Sequence, residues 1–492
     1  MDEHKPNSSD PQPTIEASTN PDTNSNSKEH PTPNTTVAHA DTAPVPTDKS
    51  ALRKQILALA IPALGALIAE PLFTFIDSAM VGHLGTAQLA GLGLASTVLN
   101  TIVGIFIFLA YSTTALAGQA LGAGRPDRAI GSGIEAMWLA AGLGILSAIA
   151  LTLWTEPILT FVGATAKTMP HASAYLKWSA PGLVPMFVVY AATGTLRGLQ
   201  DTKNPLIAAS AGAAFNVVAN WILMYPLSMG VGGSGAGTTL TQTLMAVGLG
   251  WVVVRAARTH KVRLAPSLGG LGQAALEGVP LLVRTIALRL ALMGTLTVAA
   301  AVSVTALATH QVVWTVWSFA AYLLDALAIA AQAMFGYAVG AGDVARMRQL
   351  LATLTRWGAV AGAGIGAVLV MMSPWLPRFF GSDAAMHDMG TILLMLAAVF
   401  MPVAGIVYLL DGVLIGAGRG RFLAVSGVIN LAVYAPVLWG LRTWVDSSAS
   451  HSNQLAPMAL LWLAFAGLYM GLRAAANAWA TWRGRNPVIP RV

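Results

Sequence analysis

Two carboxylates lie within one apolar stretch near the start of the chain, a placement that suits proton or ion chemistry. Glu70 and Asp77 stand in residues 56–81, which read ILALAIPALGALIAEPLFTFIDSAMV. Their spacing of seven residues puts both on one face of a helix, about 10 Å apart. A charge at bilayer depth is costly and usually faces a cavity or a partner. Because desolvation disfavours the ionised form of a carboxyl group, such a pair could bind and release protons.

The same stretch also contains two prolines, Pro62 and Pro71. Each removes a backbone hydrogen bond and can bend the helix that carries it. One interpretation is a bendable spanning helix that couples proton binding to movement. The other is a kinked structural helix whose acids are protonated or paired, and the residues alone leave both open.

A second set of charges lies in apolar runs of the second half of the chain. It consists of Arg284, Arg289, Asp325 and Asp411. Since lone charges are costly in such an environment, we expect the two arginines to be neutralised by the two acids. Removing one partner of a buried pair costs about 3–5 kcal/mol, so the group could simply fix helix packing. A role in ion coupling is the alternative.

The composition identifies the elements that position these charges as membrane-spanning helices. The chain is 55% hydrophobic and 10% charged, with 49 glycines, unlike a soluble domain. It has no cysteine, which excludes disulfides and thiolate chemistry. Residues 1–50 carry a net charge of −5 and the remainder +12. That positive excess lies in short loops, which indicates membrane topology rather than nucleic-acid binding.

Residues 1–50 are predicted to form a disordered, acidic cytoplasmic tail. They are rich in Ser, Thr, Pro, Asn and Asp and contain almost no large apolar residue. Such a segment cannot bury enough surface to become ordered, and it lacks the apolar core of a signal peptide. We expect the tail to be dispensable.

Twelve apolar runs follow from Arg53 onward. They start near residues 55, 89, 131, 172, 205, 235, 276, 303, 350, 387, 420 and 455. Twelve spans put both termini on one side, and the loops on that side carry 18 basic residues against 4 on the other. The positive-inside rule therefore predicts that both termini lie in the cytoplasm, and the expected location is the cell (inner) membrane.

An internal repeat relates the two halves at an offset of 218 residues. Pro62 maps to Pro280, the Gly-Ala-Gly of 122–124 maps to 340–342, and Arg128 maps to Arg346. Each repeat holds six spans, so the halves have the same orientation and an axis along the membrane normal. We predict an all-α protein of two six-helix lobes. The expected segments are an N-lobe at 51–257, a linker at 258–275, a C-lobe at 276–485 and a tail at 486–492.

Several motifs resemble the multidrug and toxic compound extrusion (MATE) family, and its DNA-damage-inducible-protein-F-type (DinF) branch in particular. They are EPLFTFIDSAMVGHLG at 70–85, LAGLGLA at 89–95, FLAYSTTALAGQALGAG at 108–124, FAAYLLDALA at 319–328 and YLLDGVLIGAGR at 408–419. The resemblance covers roughly residues 52–485. It implies a proton- or sodium-coupled exporter with two six-helix lobes.

The resemblance also implies roles for individual residues. Asp77 matches the essential acid of the first helix, and Asn216 and Thr238 match polar members of a network on helices five and six. Two positions depart from the family pattern: Asn220 stands where relatives often have an aspartate, and Phe73 stands where a tyrosine is expected. Glu70 then becomes the candidate for the second acid.

These observations predict a cation-coupled antiporter, most simply proton-driven, that exports amphipathic or cationic organic compounds by alternating access. Sodium is the alternative coupling ion, and no cofactor or metal is expected. The rival functions are export of an endogenous anionic metabolite, flipping of a lipid-linked sugar, and membrane-embedded catalysis. No Walker A lysine, metal-ligand spacing or nucleophile elbow is present, which argues against an enzyme. The expected partners are the bilayer and a small molecule, with the protein acting as a monomer.

Overall fold

The computed structural model describes residues 49–380, 383–447, 454–483 and 488–489. The chain divides into two units, Met1–Asp48 and Lys49–Val492, and all described residues belong to the second. The predicted tail therefore lies outside the described residues up to residue 48. Lys49 and Ser50, which the prediction placed in the tail, already belong to the first helix.

The described residues form twelve long helices that are apolar enough to span a bilayer, counting one bent pair as a single span. This confirms the predicted all-α, two-lobe fold class. Each helix contains one of the apolar runs predicted from the sequence. The helices of the first half are α1 Lys49–Gly82, α2 Thr86–Gly122, α3 Pro126–Leu153, α4 Met169–Gly198, α5 Lys203–Met224 and α6 Val231–Thr259. Those of the second half are α7 Leu268–Val302, α8 Val304–Gly340, α9 Val344–Met372, α10 Ala384–Gly416, α11 Gly420–Ser447 and α12 Leu455–Arg483.

Helix α10 is the bent pair. Its segments Ala384–Val399 and Met401–Gly416 meet at an angle of 51°. Pro402 lies at the start of the second segment. A proline is tolerated there because an N–H group in the first turn of a helix has no acceptor within the helix, so its absence costs no hydrogen bond. Helix α12 contains a π-helical stretch at Leu463–Tyr469, a departure from α-helix that often lies near functional groups.

The connection between the two halves is shorter than the predicted linker. Helix α6 ends at Thr259 and α7 begins at Leu268. The early start of α7 has a local cause, because the Ser267 hydroxyl accepts a hydrogen bond from the Gly270 N–H at 3.0 Å and so caps the helix. The same hydroxyl donates to Glu135 of α3 at 2.8 Å. The start of the second half is therefore tied to the first.

The two lobes, α1–α6 and α7–α12, meet near one end of the bundle. We call the end at which α1 begins the proximal face and the end at which α1 finishes the distal face. Three hydrogen bonds from a side chain of one lobe to a group of the other lie in the proximal half or at mid-depth of the bundle. These bonds run from Gln119 Nε2 to the Gly416 oxygen at 2.7 Å, from Gln332 Nε2 to the Tyr111 oxygen at 2.7 Å, and from Arg346 to Gln55 at 3.5 Å.

Small residues allow this close approach. Helices α2 and α8 cross near their proximal ends, where the carbonyl of Tyr337 faces Gly122 and the backbone of Gln119 faces Gly340. A Cβ at either glycine would collide with that backbone. Contacts between small residues are the usual means by which spanning helices approach each other. The lobes are therefore sealed together on the proximal side.

Candidate functional site

Asp77 lies five residues before the distal end of α1, where it faces the interior of the first lobe. It is only 7% exposed. Ser234 of α6 donates its hydroxyl to the carboxylate, at 2.7 and 2.8 Å from the two oxygens. Asn220 of α5 donates its amide to Oδ1 at 2.8 Å. The Asp77 carboxylate of α1 is thus bound by two neutral donors, one from α5 and one from α6.

The other expected members of this network stand one step away. Asn216 accepts a hydrogen bond from Asn220 at 3.1 Å and donates to Thr241 at 3.3 Å, so it orients the amide that binds Asp77. Thr238 is not among the described hydrogen-bond donors to Asp77 and instead lies beside the hydroxyl of Tyr175. The predicted site therefore forms around Asp77, Asn220 and Asn216, with Thr238 at its edge.

No basic side chain pairs with Asp77 among the described residues. Its neighbours are hydroxyl and amide groups, which can bind either a carboxylate or a neutral carboxyl group. A carboxyl group in such surroundings can gain and lose a proton without breaking an ion pair. This is the chemical capacity that a proton-coupled carrier requires.

Glu70 is placed differently from Asp77, although the two share a helix. Its side chain is exposed, and it interacts electrostatically with Tyr190 of α4 and Tyr322 of α8. It therefore faces the space between the lobes rather than the interior of the first lobe. Helix α1 runs as one α-helix through Pro62 and Pro71, so bending at these prolines remains a prediction.

The second lobe carries a neutral pair where the first carries Asp77. With the offset of 218, Asp77 corresponds to Thr295 and Asn216 to Tyr434. The hydroxyls of Thr295 and Tyr434 are hydrogen-bonded at 2.8 Å, and both residues are buried. Both lobes thus have a polar contact at this position, but only the first lobe has a carboxylate there, that of Asp77.

A cluster of charges lies inside the second lobe around Asp411 of α10. Arg284 of α7 and Arg473 of α12 both bind its Oδ2 atom, the second at 2.5 Å. Asn477 donates to Oδ1 at 2.7 Å. The side chains of the three charged residues are 9–13% exposed. The predicted pairing of Arg284 with Asp411 is therefore present, with an additional arginine that was not expected.

Arg289 and Asp325 stand apart from this cluster. Neither forms an ion pair with another described residue. Arg289 is exposed, and its guanidinium lies against Gly104 of α2. Asp325 of α8 interacts electrostatically with Arg197 of α4 and, in its own lobe, with Arg284. Only the Arg284–Asp411 half of the expected four-residue cluster is thus formed.

Instead, Arg289 and Asp325 belong to a polar cleft between the lobes. Four tyrosines from both lobes stand there in the middle of their helices, each partly exposed: Tyr111, Tyr190, Tyr322 and Tyr408. Tyr190 interacts electrostatically with Glu70 and Arg289, and Tyr111 with Asp325 and Arg197. Because the lobes are sealed on the proximal side, the cleft lies on the distal side of the seal. Its aromatic and charged groups could bind an amphipathic molecule.

Sequence reasoning missed several of these residues. Ser234 lies in the run VGGSGAG, where glycines obscure a helical pattern, yet its spacing of four from Thr238 could have pointed to the same face. Arg473 and Asn477 are also four residues apart in an apolar run, a signal of a buried polar stripe. Arg197 is one of the 18 basic residues that the sequence analysis assigned to loops, but it is 9% exposed at the proximal end of α4.

The fold and the site together define a class of protein. Two six-helix lobes sealed at one end, a polar cleft between them and a buried carboxylate in one lobe are features of a secondary membrane transporter. The MatE family model matches the chain twice, at residues 62–222 and 280–439. The chain belongs to this family, the MATE family to which its motifs pointed. The two matches begin at residues 62 and 280, which supports the repeat offset of 218.

Known relatives cover most of the chain. It is 31% identical over 389 residues to Protein DETOXIFICATION 44, chloroplastic, of Arabidopsis thaliana, covering 76% of this chain and 74% of the relative. It is 27% identical over 444 residues to DNA damage-inducible protein F of Escherichia coli, covering 87% and 92%. A crystal structure of the Vibrio cholerae MATE transporter VcmN superposes with a TM-score of 0.79 at 20% identity, covering 89% and 98%. These similarities agree with the DinF branch and with the two-lobe fold.

Proposed function

We propose that the protein is a proton-coupled antiporter that exports amphipathic or cationic organic compounds across the cell membrane. The observation that carries the proposal is the environment of Asp77. It is a buried carboxylate held by Ser234 and Asn220, and no basic residue is paired with it in the described structure. Two relatives at 25–26% identity are named as multidrug resistance proteins, NorM of Xanthomonas campestris and MdtK of Edwardsiella ictaluri.

The proposed orientation puts the proximal face in the cytoplasm, because the loops predicted on that side carry 18 of the 22 basic residues counted. The cleft would then face outward. Asp77, near the distal end of α1, would receive protons from outside. The coupling ion could also be sodium, and the transport assay is designed to separate the two.

Protonation would alter how Asp77 holds the three helices together. Ionised, it accepts hydrogen bonds from α5 and α6, and such bonds to a charged group contribute about 1.5–3 kcal/mol each. When the carboxyl group is neutral these bonds weaken, and α1 can shift or bend at Pro71 relative to its neighbours. Movement of α1 would narrow the first-lobe side of the cleft and release the solute. Return to the cytoplasm-facing state would require the seal between α2 and α8 to open.

The test is transport by purified protein in proteoliposomes with an imposed pH gradient or, separately, a sodium gradient. Uptake of a fluorescent organic cation should follow the pH gradient in the wild type. Asp77→Asn should abolish it while leaving the protein folded, because the amide keeps the shape but cannot exchange a proton. Glu70→Gln should impair transport less, since Glu70 faces the cleft and not the hydrogen-bonded site. Equal transport by Asp77→Asn and wild type would refute the first-lobe mechanism and direct attention to Asp325. A response to sodium alone would make sodium the coupling ion.

A second candidate function is export of compounds that carry an anionic group. It is favoured by Arg197 and Arg289, two arginines that interact with groups of the cleft and have no ion pair among the described residues. Glu70 and Asp325 oppose them, so a zwitterionic solute would also suit the cleft. Competition of the fluorescent cation with an aromatic cation, an aromatic carboxylate and a zwitterion of similar size distinguishes these classes.

A further inference from the structure

The cluster around Asp411 contains one more positive charge than negative. Arg284 and Arg473 both bind one oxygen of a single carboxylate, and the remaining described partner, Asn477, is neutral. Asp325, another acid that interacts electrostatically with Arg284, forms no ion pair with it. A net positive charge buried in an apolar lobe is unfavourable unless a further group compensates it.

The cluster also contains more hydrogen-bond donors than acceptors. A guanidinium has five N–H groups. The bonds to described residues account for one nitrogen of Arg284 and two of Arg473, the latter through Asp411 and the sulfur of Met470. Asp411 is acceptor-only, and its two oxygens already take these arginines and Asn477. The unused donors of both arginines are therefore free to bind another acceptor.

A small cavity lies where such an acceptor would be placed. It has a volume of about 20 Å³ and is lined by Arg284, Arg473, Asp411, Ser426 and Asn430, among others. A site for one water needs at least about 10–15 Å³, so this cavity has room for a single small species. Asn430 is 5% exposed, and its side-chain amide has no hydrogen-bond partner among the described residues. It can therefore donate into the cavity.

We propose that this cavity is a binding site for a small monovalent anion, with chloride as the physiological occupant. One negative charge would neutralise the cluster and accept from the two guanidinium groups and the Asn430 amide. The Ser426 hydroxyl, which now donates to the Leu423 carbonyl at 3.2 Å, could turn to donate as well. The volume admits a halide but not a multi-atom organic anion. The site is independent of Asp77 and of the direction of transport.

The repeat shows that the site is peculiar to the second lobe. At the offset of 218, Asn430 and Ser426 correspond to Gly212 and Ala208, and Asp411 corresponds to Thr193. Arg473 has a counterpart in Arg255, but the first lobe lacks the carboxylate and the Asn430 and Ser426 donors at this place. The anion would stabilise one lobe alone.

The direct test is crystallographic. Wild-type protein crystallised in sodium bromide should give an anomalous peak in the cavity between Arg284, Arg473 and Asn430. In parallel, thermal unfolding is measured in detergent in sodium chloride and in sodium gluconate at equal ionic strength. Ligand binding to the folded state alone raises its stability, and we expect a saturable rise in Tm of about 1–3 °C in chloride.

Two variants and a control make the solution test specific. Asn430→Leu removes a donor and fills the cavity, and Arg473→Gln removes the excess charge, so each should abolish the difference between chloride and gluconate. Thr285→Val is the matched control, because Thr285 is buried beside Arg284 but bonds only to the Leu281 carbonyl of its own helix. It should keep the difference. Absence of a bromide peak, or equal wild-type Tm values in the two salts, would overturn the proposal and leave water as the occupant.

Discussion

Replacing Asp411 by asparagine should destabilise the protein far more than removing one of its two arginines. Both guanidinium groups bind the same carboxylate oxygen, so their nitrogens lie no more than about 6 Å apart given ordinary hydrogen-bond lengths. In Asp411→Asn two like charges face each other across a neutral amide. At an effective dielectric constant of about 20 their repulsion is about 3 kcal/mol. Arg473→Gln leaves the Arg284–Asp411 pair intact and avoids this repulsion.

The comparison is made as a double-mutant cycle on the apparent Tm in detergent, in gluconate buffer so that no halide screens the arginines. A difference of about 3 kcal/mol corresponds to about 3 °C for a folded unit of this size. The Tm of Asp411→Asn should therefore be about 3 °C below that of Arg473→Gln, and the double variant, which removes the repulsion, should recover about that difference. If the double variant is as unstable as Asp411→Asn, repulsion between the arginines is not the cause. Equal losses for the two single variants would also refute the reasoning.

Three further predictions concern the first lobe and the tail. Gly237→Ala should reduce transport strongly, because a Cβ there would collide with the Asn220 amide oxygen, whereas Gly248→Ala on the same helix meets nothing within 4 Å and should not. Ser234→Ala removes hydrogen bonds that contribute about 1.5–3 kcal/mol to the ionised carboxylate of Asp77. The pH profile of proteoliposome transport should therefore move to higher pH by about one unit or more. An unchanged profile would show that this hydroxyl has no influence on coupling. Deletion of residues 2–48 should leave membrane insertion and transport nearly intact, and lost transport at normal expression would instead reveal a regulatory tail.

The fold could be predicted from the sequence because the lengths of the apolar runs and the spacing of the repeat can both be read directly from the order of residues. All twelve apolar runs became helices, and the family match begins again at residue 280, where the repeat maps Pro62. The pairing of Arg284 with Asp411 was also predictable, since both are isolated charges in apolar runs of one lobe.

The remainder of the site depends on how each helix is rotated about its axis, which the sequence does not specify. Glu70 and Asp77 are seven residues apart on one helix, yet Glu70 is exposed whereas Asp77 is buried, with only 7% of its surface exposed. Likewise Arg289 is only five residues beyond Arg284 but lies against α2 of the other lobe. Arg473 was overlooked because no family motif covers it, although a lone arginine in an apolar run is itself a signal.

The hydroxyl pair of Thr295 and Tyr434 has a consequence for the electrical behaviour of transport. It occupies in the second lobe the place of Asp77 in the first, and it cannot take up a proton at physiological pH. Under the proposed function, one lobe then contributes one exchangeable proton at this position in each cycle. Exchange of one proton for one monovalent cation moves no net charge across the membrane. Export of such a solute would respond to the pH difference and not to the membrane potential, whereas a neutral or zwitterionic solute would make the same cycle electrogenic.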